Sequence, residues 1–97
     1  MNLPNLTQFL GAYLHQDWDL EYRDATDGAI DFARHDDADC VRMAISEIES
    51  LLAAELSEEQ LQDWLLGAGC YYLPGEPVRE WLRTLREVMT EEVARRA

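Results

Sequence analysis

The sequence predicts an all-α fold: a compact single-domain bundle of about five helices, spanning residues 1–97, with one Pro/Gly loop before the last helix. Three observations predict it. Apolar residues recur at spacings of three and four nearly throughout, the period of helices with one face in a core. A helix-start signature stands at Ser57. No segment alternates with period two except Asp17 to Tyr22, which is too short and polar for a core strand.

The elements follow in order. Leu6, Phe9, Leu10, Tyr13 and Leu14 fall on one face of a first helix, and Pro4 suits its entry, where a missing N–H costs nothing. Thr26 is the expected N-cap of a short second helix, with Asp27 in its first turn and Ala29, Ile30 and Ala33 on its apolar side. His35-Asp36-Asp37 interrupts the pattern, and Asp36 or Asp37 caps a longer third helix. The stripe of that helix is Val41, Ala44, Ile45, Ile48, Leu51 and Leu52, with Cys40 at its edge.

Ser57-Glu58-Glu59-Gln60 is a capping box, and Leu56 with Leu61 forms its hydrophobic staple. The fourth helix carries Leu61, Trp64, Leu65 and Ala68, and Gly67 or Gly69 ends it through the left-handed conformation that glycine tolerates. Residues 69–77 (GCYYLPGEP) form the loop. Pro77 is expected in the first turn of a last helix that buries Val78, Trp81, Leu82, Leu85, Val88, Met89 and Val93. Arg95 and Arg96 complement the dipole at its end.

Charge narrows the choice of partner. The net charge is −12, and all eight basic residues are arginine. Residues 1–78 hold sixteen acids against three arginines, whereas residues 79–97 hold four acids against five. Nine of the acids lie between His15 and Asp39. Such a field repels nucleic acid and anionic membranes and attracts a basic protein. No stretch approaches the length of a membrane span. Met1 to Leu10 lacks the basic start and apolar run of a signal peptide, so the cytosol is the expected location.

Catalytic chemistry is poorly represented. There is no GxSxG, Walker loop, HExxH or dinucleotide glycine motif, so no enzyme activity and no cofactor are expected. His15 and His35 flank the acidic stretch at a spacing that matches no metal-ligand pattern, and His15 is expected to close the first helix. Asp17-Asp19-Glu21 resembles the start of a calcium loop. Tyr22 and Gly28, however, stand where that loop needs glycine and glutamate. Asp36, Asp37 and Asp39 read as a capping cluster. Cys40 and Cys70, in no CxxC pattern, read as free, mostly buried thiols. Trp64 and Trp81 lie on apolar stripes and are assigned to the core. Trp18, flanked by acids, either folds back to lock the turn or stands at the surface as an anchor.

PNLTQFLGAYLHQDWDLEY, LSEEQLQDWLLGAGCYYLPGE and VREWLRTLREV together resemble the small all-helical immunity proteins of bacterial contact-dependent growth inhibition systems. The resemblance runs from Pro4 to about Val88, and HQDWDLEY and GCYY are its distinctive parts. It implies a protein that binds and neutralises the C-terminal toxin domain delivered by neighbouring cells. Acidity suits a nuclease toxin, most simply a ribonuclease, because a groove that grips phosphate must be basic. The expected partner face comprises Asp17, Asp19, Glu21, Asp24, Asp27, Asp31, Tyr71, Tyr72 and Glu76. The expected assembly is a monomer alone and a one-to-one complex with toxin, with no nucleic acid or membrane partner. The other reading of the same charge is an acidic adaptor or regulatory domain with no toxin partner.

Overall fold

A computed structural model describes residues 2–14, 22–70 and 76–96. Five helices account for most of them: α1 (Pro4–Tyr13), α2 (Ala25–His35), α3 (Ala38–Ala53), α4 (Glu58–Gly67) and α5 (Val78–Arg95). Among the described residues there is no strand. The all-α expectation therefore holds.

α5 is the hub. It packs most extensively against α2 and α3 and also meets α4, while α1 lies mainly on α3. The core follows the periodic stripes: Leu6, Phe9 and Leu10 from α1 meet Ile48 and Leu51 of α3 and Leu82, Leu85 and Met89 of α5 within one cluster. Trp81 is 4% exposed and belongs to that core. Trp64 does not: it is only half-buried and packs against the cluster from outside. Its position at the edge of the α4 stripe turns one side of the indole outward. Tyr13, Ile30, Ile45, Leu52 and Val88 are likewise half-buried. Cys70 is buried, Cys40 is half-buried, and both thiols are free.

The helix ends show how local and distant residues share the capping. Asp24, not Thr26, is the N-cap of α2. Its extended backbone lets the carboxylate accept from Asp27 N at 3.0 Å, which leaves Thr26 inside the first turn. Asp37 caps α3 by accepting from Asp39 N and Cys40 N. Ser57 and Gln60 form the complete capping box at α4. Gly69, at φ 87°, ends α4 with Gly69 N donating to Leu66 O and Cys70 N donating to Leu65 O, the paired bonds of a Schellman turn.

Two helices take their N-caps from other elements. Glu47 of α3 accepts from Leu6 N at 2.9 Å and from Asn5 Nδ2 at 2.7 Å, which closes the start of α1. Glu58 at the start of α4 accepts from Val78 N at 2.6 Å and Arg79 N at 3.1 Å, which closes α5. Pro77 is therefore the residue before α5 rather than part of its first turn. Its ψ of 138° is extended, and the capping oxygens come from Glu58. Arg79 returns across the same junction, donating to Leu52 O at 3.0 Å and Leu56 O at 2.6 Å.

Glu55 is the one described non-glycine residue at positive φ, at 56°. It follows Ala54, the C-cap of α3, in the position that glycine usually fills. A side chain there costs about 1 kcal/mol relative to glycine. Glu55→Gly is expected to raise the free energy of unfolding by about that amount, measured by urea denaturation.

Candidate functional site

Asp24, Asp27, Asp31 and His35 recur at spacings of three and four, so they form one stripe along the outer side of α2. The structure thus brings together three of the sequence-predicted partner residues. Each already has an internal task. Asp24 caps the helix. Asp27 accepts from Arg23 N at 3.2 Å and lies 3.5 Å from Arg23 Nε. Asp31 accepts from Tyr22 Oη at 2.6 Å, and His35 Nδ1 lies 2.7 Å from its other oxygen. That nitrogen also faces the Asp31 carbonyl at 3.1 Å. Both oxygens only accept, so Nδ1 carries the proton.

Aromatic rings lie beneath the stripe. Phe9 and Phe32 meet in a tilted pair at 4.8 Å between centroids, Tyr13 meets Phe32 edge-on at 5.5 Å, and Tyr22 lies 6.1 Å from Tyr13. Such pairs add to burial itself, so they fix α1 against α2. A Cβ at Gly28 would meet Leu14 Cδ2 at 3.5 Å, an ordinary contact, so the approach leaves room for a small side chain there. Burial raises the Tyr13 phenol above its usual range, and the carboxylates of Asp36 and Asp31 push it further. Negative potential therefore persists around this cluster.

The far end of α2 is tied to the end of α5. Arg34 Nε donates to Glu92 Oε2 at 2.8 Å, and Arg95 pairs with the other oxygen of Glu92 at 3.2 Å. Arg96 donates to Ala33 O at 3.1 Å and to Asp36 O at 2.6 Å. Arg96 thus satisfies carbonyls at the end of α2, a role that complementing its own helix dipole did not anticipate. These bonds hold the far end of α2 against α5.

The Tyr22 hydroxyl bond, with His35 in support, lowers the Asp31 carboxyl below its ordinary value against the opposing effect of burial. The Arg34 bond lowers Glu92 in the same direction. A depressed folded value means stability that is complete above the unfolded value near about 4 and is lost as pH falls through the folded one. Tyr22→Phe is therefore expected to shrink the loss of stability between pH 7 and pH 3, measured by urea denaturation at both. An unchanged pH difference would show that the hydroxyl bond does not form in solution.

The remaining predicted residues divide. Asp17, Asp19, Glu21, Tyr71 and Tyr72 lie outside the described residues, as do His15 and Trp18. Glu76 is exposed just before α5, at the opposite end of that helix from its ties to α2, so it stands apart from the stripe. Sequence reasoning missed Tyr13, Tyr22 and His35 as parts of this face. The Asp27, Asp31, His35 spacing was a usable signal for the last of them.

No described arrangement suggests catalysis. Among the described residues no three or more His, Cys, Asp or Glu side chains are grouped to hold a metal ion. The Cys40 thiol is pushed up by burial and by Asp37, Asp36 and Asp39, which disfavours the nucleophilic thiolate. Among the described residues no helix is long and apolar enough to cross a membrane. What the geometry offers is an acidic stripe along α2 with aromatic rings beneath it.

A family model described as CdiI immunity protein matches residues 2–89. No curated protein and no solved structure matches the chain.

Proposed function

Because the chain belongs to the CdiI immunity protein family, we propose that it binds a cognate contact-dependent growth inhibition toxin domain in the cytosol, one to one, and blocks it without catalysis. The toxin is a nuclease, most simply a ribonuclease, whose basic substrate groove is covered by the acidic face that runs along α2. The observation that carries this reading is the juxtaposition of Asp24, Asp27 and Asp31 on one rigid helix face within the stretch that holds nine acids. Arg34 and Arg96 tie the far end of that helix to α5, so the face presents its charge without reorganising.

A preformed field of this kind acts on the encounter more than on the final affinity. The test is stopped-flow association with the toxin domain encoded beside this chain, paired with a ribonuclease assay. Wild-type protein should abolish cleavage, and its association rate should fall steeply as salt rises. Reversing Asp17, Asp19 and Asp27 to lysine together should slow association by roughly tenfold or more at low salt. A rate indifferent to both salt and the reversals would remove the electrostatic mechanism. A toxin domain that cleaves no RNA on its own would remove the nuclease assignment, and cleavage that persists with this protein present would remove the neutralisation reading.

A further inference from the structure

The carboxylates of α2 and those of α4 differ in one respect. Asp24, Asp27 and Asp31 are all engaged by groups of this chain. Glu59 and Asp63 are exposed on α4, with no hydrogen bond or ion pair among the described residues. They stand four residues apart on one helix face, and Leu66 continues that face three residues later. Leu66 is 65% exposed, the most exposed large apolar residue described. On the other flank of Asp63, a groove of about 300 Å³ opens between α4 and the start of α1, lined by Asn2, Leu3, Thr7, Trp64, Gly67 and Ala68. The side of Trp64 that the core leaves uncovered therefore borders a cavity.

We infer that this outer face of α4, with the groove beside it, is the anchoring surface for the basic toxin domain. An apolar side chain of the toxin enters the Trp64 groove while its cations meet Glu59 and Asp63. Charge complementarity selects this occupant. Among the described residues the charged side chains of this face are acids, and Glu59 and Asp63 have no described cation to displace. An acid already bound within the chain gains less from an incoming arginine than one that is bare. Binding energy concentrates where an aromatic wall, a pocket and a charged rim coincide. The α2 stripe then steers the encounter and covers the basic groove, and α4 adds the contact that slows dissociation. The inference rests on the toxin-binding reading above.

Two variants test it without endangering the fold. A Cβ added at Gly67 meets nothing within 4 Å, so Gly67→Arg fills the groove while the helix keeps its packing. Leu66→Glu alters a side chain that already faces solvent. Thermal melts should show both variants folded. The probe is the toxin domain from the adjacent reading frame, captured on a biosensor. Each variant should dissociate roughly tenfold faster or more, and Leu66→Glu should leave the low-salt association rate nearly unchanged. Tight wild-type binding with unchanged dissociation of both variants overturns the α4 site and leaves the toxin-binding reading standing. Absence of wild-type binding overturns that reading and this inference together. Loss of self-association in sedimentation, with toxin dissociation unchanged, would assign the groove to a second copy and overturn the proposal.

Discussion

Replacing Trp81 with alanine is expected to lower the free energy of unfolding by about 3–5 kcal/mol. The indole is 4% exposed and stands in the central helix, whose neighbours are α2, α3 and α4. Truncation removes its transfer energy and leaves a cavity that the surrounding core closes only in part. For a domain near this size each kcal/mol shifts the melting temperature by about 4–8 °C, so the midpoint should fall by roughly 15 °C or more. Trp64→Ala is the internal comparison. Its side chain is half-buried beside an open groove, so the loss should be about half as large. Urea denaturation of both variants decides the matter, and equal losses would show that Trp64 is as deeply packed as Trp81.

Glu58→Ala should cost about 2–4 kcal/mol, more than a surface carboxylate normally contributes. One side chain serves two helix starts. It lies in the first turn of α4, and its oxygens accept from the first two amides of α5. Removing it leaves Val78 N and Arg79 N without their acceptors. It also loosens the Arg79 guanidinium that spans Leu52 O and Leu56 O. Hydrogen exchange gives the discriminating readout. The Val78 and Arg79 amides should lose protection far beyond the global change in stability. Glu58→Gln keeps one accepting oxygen and should recover part of it.

These two sites also show what could be read in the sequence. Trp81 announced itself through the spacing of Val78, Leu82, Leu85 and Met89, because a helical stripe is local information. The capping box at Ser57 was equally plain, since all its members lie within four residues. The second role of Glu58 was hidden because its partners lie twenty and twenty-one residues away. The same holds for Glu47 on α1 and for Arg96 on α2, whose bonds cross forty or more residues. Trp64 was misplaced because periodicity marks a stripe but not which edge of it faces out. Asp24 and Thr26 can both cap a helix, and only the backbone geometry at Asp24 chooses between them. In the candidate site, the acids of α2 were visible as charge. Their engagement by Tyr22, Arg23 and His35 was not, and that engagement separates them from the bare acids of α4.

The central place of α5 has a consequence for the order in which the protein is made. A ribosome releases α1 to α4 first, and α2, α3 and α4 then expose apolar faces whose main partner, α5, has yet to be synthesised. α1 can settle on α3 during that interval, but α2 finds its principal support only when residues 78–95 emerge. Domains fold as units once such a closing element is available, and synthesis adds only about 5–20 residues each second. A nascent chain therefore passes from an open set of helices to a packed domain only as residues 78–95 emerge. Immunity therefore waits on α5, and a translating ribosome contributes none until that helix is clear.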